Sequence, residues 1–367
     1  MEGFLAFVLM KNRLLLFLAL IFSLPLQAQR LDSLLKVIRS EYLIPGLAVA
    51  VVSSDSILEL EVQGVPHILK TWKLNRESIF RLGSNTKGIT SFVAAQLVKK
   101  GLLSWNTRYF DLFPNQKKIA SKVYHNLTLE QLLCFRTRLP QYTSVFSTPA
   151  DNQFTGTLEE QRKAFSDWYW RQEPVSKSQE PHASNLGYCA AASMMEEVSG
   201  KSFEELIQDL GKNLETGWSF GSPNSIDTLQ PWGHYFNLAP EAPRENNKQN
   251  WLSAAGNISS SLPDYCRFVK ELLLAYQGKS TMLSKEEVNY LFFALPRYSF
   301  GWFWNTNALN QKYVYNLGNP GSFLTMVYIF PESNKSVVIF SNAQTETTEK
   351  GELALLEIVL RKYGLAR

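Results

Sequence analysis

Across 367 residues the chain carries 37 Lys and Arg against 33 Asp and Glu, a net charge of +4, with 45% hydrophobic and 19% charged residues. That balance belongs to a globular protein and excludes a disordered one; with no dense Lys/Arg run, nucleic acid is not an expected partner. The length suffices for one large domain or two ordinary ones, and nine Trp, 15 Tyr and 23 Phe are enough to line a sizeable core.

The first element reads as an export signal. Lys11 and Arg13 precede an apolar stretch from Leu14 that ends in the small residue Ala28, and a basic start, short apolar middle and small exit match a signal over residues 1–28. Met10 is an alternative start. The apolar run of about 13 residues falls short of the roughly 20 that cross a bilayer, so no stable membrane span is expected after signal removal. The expectation is an exported protein, periplasmic or secreted. No Cys stands directly after the expected cleavage point, so no lipid anchor is expected.

Next, residues 30–42 place Leu31, Leu34, Leu35, Val37 and Ile38 at helical spacing. "IPGLAVAVV", a turn at Ser53 to Ser56 and "ILELEVQG" read as a β-hairpin. After Ser84, "GITSFVAAQLVKKG" reads as an amphipathic helix stopped by Gly101, and Thr128 caps a helix over "LEQLLCF". The polar and aromatic stretch 141–183 reads as loops around the mouth of a cleft. Two helices separated by Gly200 follow, then a helix over "SSLPDYCRFVKELLLAYQG". "FGWFWN", "KYVYNLG", "FLTMVYIF" and "SVVIFSNA" read as strands between Gly, Pro and Asn turns, and "EKGELALLEIVLRKYG" as a closing helix. Strands at both ends of a helical middle imply an antiparallel sheet assembled from both termini, with an inserted helical region.

The chemistry centres on Ser84 and Lys87. Three residues apart on a helix, they share a face, so the amine reaches the hydroxyl. A desolvated lysine has a lowered pKa and accepts the serine proton, and the helix N-terminus favours a developing anion. Spacing alone is weak, because Ser33 and Lys36 satisfy it too. Gly217-Trp218-Ser219-Phe220-Gly221 formally matches a nucleophile elbow but lacks the preceding strand and following helix that such a turn requires, so it reads as a loop. His67, His125, His182 and His234 show no metal-ligand spacing; Cys134, Cys189 and Cys266 are too few and too scattered for a disulfide framework and read as small buried hydrophobes. Trp168-Tyr169-Trp170 reads as packing for the helical insert.

Phe80-Arg81-Leu82-Gly83-Ser84-x-x-Lys87 ahead of an apolar helix resembles the first motif of the serine β-lactamase and penicillin-binding family. The resemblance runs from about residue 30 to 345 through "IPGLAVAVV", "LTLEQLLCFRTRLP", "SNLGYCAAASMMEEVSGKSFEEL", "SAAGNISSSLPDYCRF", "YSFGW" and "LGNPGSFLTMVYIFPESNKSVVIFSN". It is nearest to the class C β-lactamase, esterase and D-aminopeptidase branch. The implied fold is α/β (α+β), β-lactamase/transpeptidase-like: an antiparallel sheet flanked by helices with an inserted all-helical region. The α/β part would cover about 29–105 and 245–367, and the insert about 106–244. The family's Tyr-x-Asn motif falls on Ala183, Ser184 and Asn185, and its Lys/His-Thr-Gly motif on Tyr315, Asn316 and Leu317. The loop that often reads His-Thr-Ser-Gly is Phe135-Arg136-Thr137-Arg138.

Two readings stay open. In the first, Ser84 attacks an ester or amide carbonyl, Lys87 takes its proton, and the backbone N–H groups of Ser84 and Gly318 hold the oxyanion. Asn185 orients Lys87 or the substrate, Asn316 contacts substrate, and Tyr315 either supplies the missing phenol or packs on its strand neighbours. In the second, a degenerate relative holds or senses a cell-wall-like ligand without efficient turnover. Either way the expected partner is a small molecule or peptide, with no metal, cofactor or nucleic acid; the oligomeric state is left open.

Overall fold

The computed structural model describes residues 30–142, 149–150, 152–175, 181–243 and 248–367. The expected export signal lies outside these residues. Among the described residues, no helix is long and apolar enough to cross a membrane.

The chain opens with helix α1 (Leu31–Glu41) and the hairpin β1 (Gly46–Val52) and β2 (Ile57–Gly64). From the other end of the chain come β6 (Tyr298–Ser299), β7 (Trp302–Thr306), β8 (Lys312–Gly318), β9 (Leu324–Phe330) and β10 (Lys335–Ser341). Together they make a seven-stranded sheet in the order β2-β1-β10-β9-β8-β7-β6, antiparallel at every step. The ends meet where Leu47 pairs with Ser341.

Both faces of this sheet are covered, which is why "GLAVAVV" is apolar throughout instead of alternating. Leu47, Val49 and Val51 join Val337, Ile339, Met326 and Phe330 in a core closed by α1 and the C-terminal helix α9 (Glu346–Lys362). Ala48, Ala50 and Val52 face the larger core with Val338, Phe340, Val327 and Ile329. A slip of one residue would exchange the two sets.

The second layer holds α2 (Thr86–Lys99), α3 (Leu158–Trp170), α4 (Asn185–Ser199), α5 (Phe203–Leu214), α6 (Lys248–Gly256), α7 (Leu262–Tyr276) and α8 (Lys285–Phe293). Capping boxes at Thr128, Thr157, Ser202 and Ser284 fix where helices begin, and Gly200 (φ +66°) ends α4. Helix α3 corrects the expectation of loops across 141–183. Its face of Phe165, Tyr169 and Trp170 is buried against Tyr109, Phe110 and Trp251. Helix α2 is a second correction: far from amphipathic, it is buried on every side, including Thr86, Lys87, Thr90 and Ser91. A small sheet, β3 (Ile79–Arg81), β5 (Ile258–Ser261) and β4 (Ser219–Phe220), suspends the start of α2 over the cleft. The Gly217–Gly221 segment thus forms a short strand, not a nucleophile elbow. The three cysteines are free and buried.

Candidate active site

Strand β3 delivers Ser84. Leu82 N continues the ladder to Ile258 O at 2.9 Å, and the chain then turns through Gly83 into the 3-10 turn Gly83–Asn85 that opens α2. Gly83 sits at φ +52°, and a Cβ there would come within 2.8 Å of Asn319 N and 2.9 Å of Pro320 Cδ. Only glycine lets the 318–320 segment pass this close to the serine.

Lys87, the second residue of α2, is buried, with Nζ 3.0 Å from Ser84 Oγ and 2.6 Å from Ala255 O. Its Nζ also lies 5.4 Å from the centre of the Tyr188 ring. Burial pulls its pKa from 10.5 down to about 7, and the nearby Cys189 thiol acts weakly in the opposite direction. The amine is therefore poised to exchange a proton near neutrality instead of staying an ammonium. Its position is braced from α6 and β5: Thr90 Oγ1 donates to Ala254 O at 2.8 Å, and Ile258 N donates to Thr86 Oγ1 at 3.2 Å.

The third-motif positions divide between the two faces of β8. Asn316 is buried on the α2 side and donates from Nδ2 to Ser84 O (2.9 Å) and Gly301 O (2.7 Å), while Oδ1 accepts from Leu317 N (2.8 Å). Its amide is spent on the protein and would contact substrate only by giving up one of these bonds. Tyr315 does not come to the serine. Strand alternation sends it to the opposite face, where its ring stacks on Tyr328 (5.2 Å, 12°) and Phe303 (5.5 Å, 29°). The phenol that the sequence offered as a substitute proton carrier is a packing group.

Gly318 closes the site. A Cβ there would meet Leu82 O at 1.9 Å and Thr325 Oγ1 at 2.3 Å, so β8 lies directly against the turn carrying Ser84. Thr325 Oγ1 donates to Leu82 O and accepts from Asn85 Nδ2, both at 2.8 Å, tying β9 to the same turn.

Asn185 stands half-buried at the first residue of α4 and makes no hydrogen bond to Lys87 among the described residues. The groups of α4 that reach Lys87 are Tyr188 and Cys189, one turn further along. Sequence reading missed both, although i, i+3 and i+4 spacing from Asn185 would have pointed to them. Ala183, where the family tyrosine would stand, packs half-buried on the core. The Tyr188 hydroxyl does not replace it: it donates to Leu133 O at 2.7 Å, sits 2.9 Å from Tyr298 Oη, and is raised far above the usual phenol range by burial. In the Phe135–Arg138 loop, Phe135 stacks on Tyr298 at 4.3 Å and Arg136 donates to Pro296 O at 2.7 Å. His182 half-buries its ring and donates its backbone N–H to Phe135 O at 3.0 Å.

Several known proteins are similar to this chain. Protein flp of Staphylococcus aureus (strain N315) is 20% identical over 335 residues, covering 88% of this chain and 64% of its own length. The unguisins hydrolase ungD' of Aspergillus campestris (strain IBT 28561) is 22% identical over 357 residues, covering 88% of this chain and 63% of its own. The chain thus spans slightly less than two thirds of these curated relatives. Among solved structures, the octameric penicillin-binding protein homologue from Pyrococcus abyssi superposes with a TM-score of 0.72 at 20% identity, over 90% of this chain and 76% of its own. SurE with D-Leu gives the same TM-score at 18% identity, over 91% and 74%. The Beta-lactamase family model matches residues 30–360, and this chain belongs to that family.

Proposed function

We propose that the protein is an exported serine hydrolase that cleaves an ester or amide through an acyl-Ser84 intermediate. The observation that carries this reading is the buried Lys87 amine 3.0 Å from Ser84 Oγ with its pKa near 7. In its neutral form the amine donates one hydrogen to Ala255 O and turns its lone pair to the Ser84 O–H. As Oγ bonds to the carbonyl carbon, its proton passes to Lys87, and the lysinium returns that proton to the leaving group. The backbone N–H groups of Ser84 and Gly318 stabilise the oxyanion. A relative named as a hydrolase supports the reaction class. Water then releases the acyl group, with Lys87 as the base at hand for both halves of the cycle.

A second reading draws on Ala183 and on Tyr188, whose hydroxyl is engaged elsewhere. Losing one proton-transfer group costs roughly 10²–10⁴-fold in rate, so the protein would acylate and then hold its ligand. Labelling with a fluorophosphonate and with a fluorescent penicillin, using Ser84→Ala as control, tests both. Labelling lost in the mutant supports the acyl-Ser84 chemistry. A penicilloyl adduct that persists for hours favours the holding role, and equal labelling of mutant and wild type rules out Ser84.

A further inference from the structure

Large apolar side chains in water are ordinary when scattered and informative when gathered. Two loops gather them here. The β2–β3 connection exposes Ile68 by 40% and Leu69 by 77%, and the segment 222–240 exposes Ile226 and Leu229 by 64% each and Phe236 by 67%.

The two loops form one surface. Trp232 N donates to Pro66 O at 2.9 Å, Trp72 Nε1 to Leu229 O at 3.2 Å, and Ile79 N to Gln230 Oε1 at 3.0 Å. The base beneath is rigid: Asn342 Nδ2 donates to the carbonyls of Val65, Pro66 and Trp232, and the His67 and Trp232 rings meet edge to face at 4.7 Å. The same segment is tied to the β8–β9 connection, where His234 N donates to Ser322 O at 2.9 Å.

Its chemistry is that of a membrane interface. Aliphatic and phenyl tips protrude, half-buried Trp72 and Trp232 keep their indole N–H groups bonded to backbone, and exposed Lys70, Lys73 and Arg76 flank them. Lys70 Nζ stands 5.6 Å from the Trp72 ring. Protruding apolar tips suit a fluid acceptor, which needs no complementary shape, and the three cations, which outnumber the exposed acids Glu77 and Asp227 of the same loops, suit anionic headgroups. We propose that the 65–78 and 222–240 loops dock the protein onto the surface of an anionic lipid bilayer.

The native cysteines are buried, so Leu69→Cys and Phe236→Cys can each carry an environment-sensitive dye. With mixed phosphatidylglycerol–phosphatidylcholine vesicles, both dyes should shift to the blue and be quenched by nitroxide lipids, with little response to phosphatidylcholine alone. Lys70→Glu with Lys73→Glu should weaken this response by at least about 30-fold. Because the dyes report these loops alone, the apolar N-terminal stretch cannot produce the signal. Dyes that stay in water with anionic vesicles overturn the proposal. So does a blue shift that depends on protein concentration without lipid, which would make the patch a contact between copies. Ser84 labelling in the same variants is independent of either outcome.

Discussion

Raising the pH through neutrality is expected to switch on acylation of Ser84. Lys87 accepts a proton only when it carries none to spare, and burial brings its pKa from 10.5 to about 7. At pH 7.4 about 70% of the amine would be neutral, against roughly 0.1% for an ordinary lysine, a gain of nearly a thousandfold in active base. The rate constant for fluorophosphonate labelling should rise about tenfold per pH unit below neutrality and level off between pH 7 and 8. Lys87→Arg keeps the charge but not a removable proton, and should lower the plateau by roughly 10²–10⁴-fold. A profile flat from pH 5 to 9, or one whose inflection lies above pH 9, would refute the claim that the buried amine is the base.

Other outcomes follow from buried polar groups. Glu352 on α9 is fully buried and desolvation pushes its pKa up to about 8, the Ser341 hydroxyl opposing. The folded state keeps a proton that the unfolded chain releases near 4.5, so stability is full below that pH and is lost as pH climbs towards 8. The loss is at most about 5 kcal/mol, and thermal melts should show Glu352→Gln flattening the slope. Asn316→Ala leaves Ser84 O and Gly301 O without their donor and should cost about 2–4 kcal/mol in denaturant unfolding while slowing Ser84 labelling. Buried Arg162 is held by Glu196 and Glu204; Arg162→Met strands those carboxylates and should cost about 3–5 kcal/mol.

Much of the fold was legible because apolar period and caps are local signals. The hairpin, the closing strands and the helices flanking Gly200 follow from residues within a few positions of one another. Helix α3 was hidden by its polar and aromatic make-up, although Thr157 and Glu160 form a capping box that spells its start. Burial all round α2 could not be read, because its Thr and Ser residues look like a wet face until partners such as Ala254 O arrive from far along the chain. The site divides in the same way. Ser84 and Lys87 are adjacent in sequence and in space, whereas the carbonyl of Ala255 carries no side-chain signature. Tyr315 and Asn316 are one residue apart, and strand alternation alone decides which of them meets the serine.

The pairing of β1 with β10 has a consequence for the order of events during synthesis. Leu47 must wait for Ser341, nearly 300 residues later, and at about 5–20 residues per second that is a delay of roughly 15 to 60 s. Until then β1 lacks a neighbour on that side, and β8 and β9, which close over the turn holding Ser84, are made only near the end of that delay. The nascent chain therefore cannot assemble its nucleophile early. Reactivity arrives last, with the strands that complete the sheet.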